Sequence, residues 1–140
     1  MQRRSFLWGS GTVILAAFGA FLALRGTATS NVRLEAVAGA DLAGDPDIVL
    51  VDIRRPEEWQ QTGVIEGALL ITYTDAESFL QAVGPYLQPD QTLALVCRSG
   101  NRTSRAARQI AGLIDNPVLD VQGGMIRVVR GGYVPVAVAR

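Results

Sequence analysis

The chain has 140 residues, 49% of them apolar, with 13 arginines balanced by 13 acids, no lysine, no histidine and one cysteine. Lacking histidine, it has neither the usual general base nor the commonest metal ligand, a zinc site has no ligand set, and a single thiol closes no intramolecular disulfide. From Asn31 onward 10 Arg stand against 13 acids, a net charge of −3, which leaves no basic footprint for nucleic acid.

Residues 1–30 read as a segment apart from the fold. Arg3 and Arg4 stand just ahead of Phe6 and Leu7, and an apolar run of 19 residues extends from Phe6 to Leu24. The pattern resembles a twin-arginine export signal. Gly26, Thr27 and Ala28 offer small residues for cleavage, and a removed signal is the preferred reading. The run is also at the edge of bilayer-crossing length, so an uncleaved anchor with its basic end in the cytoplasm is the alternative. In both cases the domain, residues 31–140, is expected to be exported across the cytoplasmic membrane. It would be periplasmic or extracytoplasmic, touching the membrane only through the N-terminal segment. A lone thiol in an oxidising compartment reads as a functional group.

The domain begins with a short strand around Val32–Leu34, followed by a weak helix over Glu35–Leu42 and a turn at Gly44-Asp45-Pro46. Ile48–Val51 is a continuous aliphatic run, as expected of a strand buried on both faces of a parallel sheet, and it ends in Asp52-Ile53-Arg54. Pro56 with Glu57 and Glu58 marks a helix start, because proline tolerates the first turn and carboxylates favour its positive end. Gly63 ends that helix, and Ala68–Ile71 reads as another strand. Asp75 caps a helix carrying Phe79, Leu80, Val83 and Leu87. A second buried strand, Leu93–Val96, leads to Cys97. From about Thr103 an apolar stripe of Ala106, Ala107, Ile110, Ala111 and Ile114 has helical spacing. Pro117–Val121 is the last strand, followed by Gly123-Gly124, a short amphipathic segment Met125–Val129 and a tail with Gly131, Gly132 and Pro135. Strands alternating with helices predict an α/β fold with a mainly parallel central sheet and helices on both faces.

The stretch Cys97-Arg98-Ser99-Gly100-Asn101-Arg102 therefore joins a strand to a helix at the carboxyl end of the sheet, where open parallel sheets place their sites. A loop closing on a helix N-terminus turns backbone N–H groups inward and favours negative charge at its centre. Arg98 and Arg102 add positive charge, so the thiolate of Cys97 is expected to be stabilised below the reference pKa of about 8.5. A lone cysteine at a strand end is ordinarily a small buried hydrophobe. The polar, doubly basic, glycine-containing turn favours the nucleophile instead.

Four motifs in this order resemble the rhodanese (thiosulfate sulfurtransferase) family. They are Val51-Asp52-Ile53-Arg54 with Glu58-Trp59; Gly63, Ile65 and Gly67-Ala68; Cys97 to Ser104; and Gly123-Gly124-Met125. Together they span roughly residues 32–135. The resemblance implies that Cys97 carries a persulfide and that Arg98, Ser99, Gly100, Asn101 and Arg102 form the substrate-binding loop around it. It also implies supporting positions for Asp52, Arg54 and Thr103, and it calls for no cofactor and no metal. The chain departs from the family at Val64, where a histidine is frequent, at Val128-Val129, where a tryptophan is common, and at Tyr133-Val134-Pro135, which stands in place of a more usual Tyr-Pro.

The expected function is sulfur transfer. A small sulfur-containing anion such as thiosulfate, or a protein persulfide, donates sulfane sulfur to Cys97, and a thiol or cyanide accepts it, with Arg98 and Arg102 as clamps for an anionic donor. An exported module that carries sulfur to a redox partner without turning over is the alternative. Cys-dependent phosphatases and arsenate reductases use a related loop, with arginine six positions after cysteine. Here Arg102 lies five positions after Cys97, a smaller ring that suits sulfur better than a tetrahedral phosphate.

Overall fold

The structure, a computed structural model, describes residues 31–138. The expected leader, residues 1–30, lies outside them. Among the described residues no helix is long and apolar enough to cross a membrane. Five strands, β1 (Val32–Glu35), β2 (Ile48–Asp52), β3 (Leu69–Leu70), β4 (Thr92–Val96) and β5 (Val118–Val121), form one sheet in the order β1-β5-β4-β2-β3. Every pairing within it is parallel, so the expected α/β fold with helices on both faces is the observed one.

The two faces are covered by different helices. Helix α3 (Ala76–Val83) and helix α4 (Asn101–Ile110) bury Phe79, Val83, Ala106, Ala107 and Ile110 against Val51, Leu93, Leu95 and Val118. On the other face α1 (Gly39–Leu42) and α5 (Gly124–Arg130) bury Leu42, Met125 and Val128 against Leu50, Ala94, Val96 and Leu119. Alternate residues of β4 thus enter opposite cores, which explains the uninterrupted aliphatic run from Leu93 to Val96. Full burial of such side chains stabilises by about 1.5–3 kcal/mol each.

Helix α2 (Pro56–Thr62) begins directly beyond β2. Pro56 opens it, the Glu58 carboxylate accepts the backbone N–H of Arg55 at 3.1 Å, and Gly63 ends it. Helix α3 starts where Asp75 accepts the Ser78 N–H at 2.8 Å.

The expected helix over Glu35–Leu42 is only the four residues of α1, because Glu35 is spent on the sheet, paired with Val121. Leu87 lies beyond α3, past a 3-10 turn over Gly84–Tyr86 that contains Pro85. The stripe beyond Thr103 likewise outruns its helix. Helix α4 ends at Ile110, and Ala111 and Ile114 pack on the core from the following turn.

Candidate active site

Cys97 follows β4 at the carboxyl edge of the sheet and is 1% exposed. Its Sγ accepts the backbone N–H of Gly100 at 3.2 Å and lies 3.7 Å from the Thr103 hydroxyl oxygen. The Thr103 hydroxyl donates to the Gly100 carbonyl at 2.8 Å, so it fixes the residue that faces the sulfur. Gly100 is the N-cap of α4 with φ 95°, a left-handed conformation that favours glycine. The thiol thus sits inside a tight turn at the start of a ten-residue helix, where N–H donors and the helix dipole stabilise an anion.

The loop is pinned from behind. Met125 and Ile126 donate their N–H groups to the carbonyls of Cys97 and Arg98 at 2.8 and 3.0 Å. Gly124 makes this approach possible, since a Cβ there would run into the backbone of Cys97 and Arg98. One consequence is that two unpaired N–H groups of α5's first turn and two loop carbonyls satisfy each other. On the other side Ser104 donates its hydroxyl to the buried Asp120 of β5, tying α4 to the sheet.

Of the predicted loop residues, Arg98, Ser99, Asn101 and Arg102 are exposed, while Cys97, Gly100 and Thr103 are buried. Asp52 and Arg54 lie at the end of β2, the strand beside β4. They form a fully buried pair: Arg54 donates to both carboxylate oxygens of Asp52 at 2.7–3.0 Å. The remaining guanidinium donors reach the Thr62 hydroxyl at 2.6 Å and the Gly63 carbonyl at 2.7 Å. Arg54 therefore ties β2 to the end of α2, and its charge is spent inside the protein.

Arg102, expected as a clamp for an anionic donor, is paired with a carboxylate of the protein. Its guanidinium holds the Glu58 carboxylate in a fork of 2.7 and 2.6 Å. This fork, opposed by partial burial and reinforced by the Arg55 N–H and the charge of Arg102, lowers the pKa of Glu58 to about 2. The same bonds raise that of Arg102, with smaller contributions from the charges of Cys97 and Asp52. Arg98 has no carboxylate partner among the described residues.

Sequence reasoning placed Glu58 at a helix start and in a family motif but did not foresee its fork with Arg102. Helix α2 follows β2 and α4 follows β4, and these strands are neighbours, so both helix N-termini stand at the same edge. That adjacency is a product of the strand order, which no local pattern in the sequence carries.

Two depressions flank the loop. Between α2 and α5 lies a pocket of about 500 Å³ whose wall includes Arg98, Met125, Ile126, Val129, Arg130 and Pro135. On the other flank a polar recess of about 430 Å³ is lined by Tyr73, Asn101, Arg102 and Arg105. Burial there, with the charge of Asp75, raises the pKa of the Tyr73 phenol. Among the described residues no group of three or more acidic, cysteine or histidine side chains could hold a metal ion.

A buried sulfur at a strand end, facing a helix N-terminus and ringed by exposed polar groups, is suited to hold an anionic nucleophile or an anionic covalent adduct. The model of the rhodanese-like domain matches residues 36–137. A rhodanese domain-containing protein of Drosophila melanogaster is 32% identical over 77 residues, which cover 49% of this chain and 69% of the relative. Among solved structures, a rhodanese-related protein from Thermoplasma volcanium superposes with a TM-score of 0.54 at 27% identity, over 71% of this chain and 94% of that one. A protein of Rhodopseudomonas palustris described as a possible tyrosine phosphatase superposes with a TM-score of 0.58 at 28% identity, over 90% of this chain and 99% of that one. With residues 36–137 matched and the motifs in order along the sheet, the chain belongs to the rhodanese-like domain family.

Proposed function

We propose that the chain is a sulfurtransferase that carries sulfane sulfur on Cys97. The observation that supports this most is the Sγ of Cys97 buried in a loop whose Gly100 N–H points at it. In the first half-reaction the Cys97 thiolate attacks the outer sulfur of thiosulfate. A new S–S bond forms, the old one breaks, and its electron pair leaves with sulfite. In the second, cyanide or a thiolate takes the outer sulfur and the electron pair returns to Cys97 as thiolate. No general base is needed once the thiolate exists, in keeping with a chain that has no histidine.

Within this reading Arg98 attracts the anionic donor, Ser99 and Asn101 border the opening, and Gly100 and Thr103 shape the seat of the sulfur. Arg102 supplies positive charge from its fork with Glu58. Asp52 and Arg54 support the loop from the neighbouring strand. The donor is a small sulfur-containing anion or a protein persulfide, and the acceptor is a thiol. Delivery across the cytoplasmic membrane follows from the Arg3-Arg4 leader.

Intact-mass measurement after thiosulfate treatment tests the reading. It predicts a gain of one sulfur atom at Cys97, release of thiocyanate on adding cyanide, and neither in Cys97→Ser. Loading without release would make the chain a sulfur carrier rather than an enzyme. Hydrolysis of an aryl phosphate faster than consumption of thiosulfate would move the chemistry to phosphoryl transfer.

A further inference from the structure

We infer that the polar recess between the β3–α3 connection and α4 is a binding site for a multiply charged oxyanion of the phosphate class. At about 430 Å³ it lies in the range of small-molecule sites. Cys97 is not among its wall residues, and binding there needs no sulfur on the thiol.

The wall is rich in donors and poor in free acceptors. Its residues Tyr73, Thr74, Asn101, Arg102, Arg105 and Gln109 include no carboxylate. The Oε1 of Gln109 accepts the Tyr73 hydroxyl at 2.7 Å, which leaves the amide NH₂ as the free end of that side chain. The Thr74 hydroxyl donates to Asp75 at 3.1 Å. Asp75 follows the wall in sequence, and its other oxygen accepts the Ser78 N–H at 2.8 Å, so this carboxylate is engaged at the start of α3. Arg105 is exposed and has no carboxylate partner among the described residues.

Helix geometry gathers these donors. Arg102 and Arg105 are three residues apart on α4, and Arg105 and Gln109 four apart, so the three side chains share one face. The two arginines are separated by about 4.5 Å along the axis at 1.5 Å per residue, close enough for two long side chains to meet on one oxyanion. Of the five N–H groups of Arg102, two go to Glu58, and the rest remain for a ligand.

The fork with Glu58 selects the charge of that ligand. A monocarboxylate offers Arg102 only what Glu58 already supplies from a fixed position. A phosphate-class ion brings about two negative charges and more acceptor oxygens, so it engages Arg105 and the Gln109 amide while sharing Arg102. Glu58 belongs to the wall of the pocket on the opposite flank and Arg102 to this one. Their pair is thus a partition between the two depressions, and its carboxylate weakens anion binding in the recess.

The test titrates the full chain calorimetrically with pyrophosphate at constant ionic strength. Arg105→Gln should weaken binding about tenfold, the loss of one charge-assisted pair. Glu58→Gln should tighten it about threefold, because a neutral amide removes a like charge and frees part of Arg102. Arg130→Gln makes the same charge change as Arg105→Gln outside the recess and should leave the affinity unchanged. Absence of saturable binding, or equal weakening by Arg105→Gln and Arg130→Gln, would overturn the assignment. Binding lost in Arg98→Gln but kept in Arg105→Gln would place the ion in the Cys97 loop and overturn it as well. Failure of thiosulfate to load Cys97 would remove the sulfurtransferase reading and leave this site standing.

Discussion

Arg102 and Glu58, 44 positions apart in sequence, face each other through two parallel N–H···O bonds of 2.7 and 2.6 Å. The carboxylate that receives them also accepts the N–H of Arg55, the N-cap of its own helix, at 3.1 Å, so the N-termini of α2 and α4 share one anchor. The fork leaves the positive charge of Arg102 partly spent on Glu58.

Glu58→Gln should therefore lower stability by about 1 kcal/mol at neutral pH, the size of a well-formed but partly exposed pair. The carboxyl has a folded pKa of about 2, depressed from 4.5. Its contribution is therefore complete above pH 4.5 and is lost as pH falls toward 2. Urea midpoints of the two proteins should differ at pH 7 and converge through that window. A constant difference would mean that the pair contributes nothing through its charge.

Arg54→Met should be far more damaging than any change at Arg102. It leaves the Asp52 carboxylate buried without its partner, at a cost of about 3–5 kcal/mol, and frees the end of α2 from β2. Arg54→Lys should rescue little, because one ammonium cannot serve Asp52, Thr62 and Gly63 together. Denaturant unfolding monitored by Trp59 fluorescence measures both.

Gly124→Ala and Gly44→Ala form a matched pair. Both glycines have positive φ, 57° and 80°, but a Cβ at Gly44 meets nothing within 4 Å whereas one at Gly124 strikes the backbone of Cys97 and Arg98. Gly44→Ala should cost about 1–2 kcal/mol for the left-handed conformation alone. Gly124→Ala should cost more and also slow loading of Cys97 by thiosulfate. Equal stability losses with normal loading would show that the loop does not depend on this contact.

Thr103→Val keeps the shape of the side chain but deletes the hydroxyl bonded to the Gly100 carbonyl at 2.8 Å. Loss of one hydrogen bond of about 1 kcal/mol should slow sulfur loading roughly fivefold without abolishing it. Single-turnover loading rates provide the measurement, and an unchanged rate would confine Thr103 to packing.

Arg3→Lys together with Arg4→Lys should hold the chain in the cytoplasm, because receptor-read signals of this kind recognise the arginine pair and not only its charge. Fractionation of cells expressing the two forms decides it, and unchanged delivery would assign an ordinary signal anchor.

What was legible in the sequence was whatever has a local cause. The aliphatic runs at Ile48–Val51 and Leu93–Val96, the Pro56 and Asp75 helix starts, and the strand–loop–helix around Cys97 follow from side-chain period and backbone chemistry. What was not legible depends on distant residues meeting. The strand order, the Glu58–Arg102 fork and the Gly124 contact with Cys97 each join segments that no local pattern links. Glu35 shows the same limit at small scale: its propensity suits a helix, and a strand partner 86 positions away holds it extended.

The first strand of the domain is laid against the last. Val32 through Glu35 pair with Val118 through Val121, and the Asn31 side chain clasps the carbonyls of Ile114 and Asn116, the latter 85 positions away. Until β5 has been synthesised, β1 has no neighbour and β4 lacks one of its two, so the sheet closes as a late, non-local event. Such closure pays the loop entropy of nearly the whole domain before its contacts return anything, and it sets a slow folding step. A chain stopped before Val118 loses both outer pairings at once and should be degraded or aggregate rather than persist as a smaller version of the same fold.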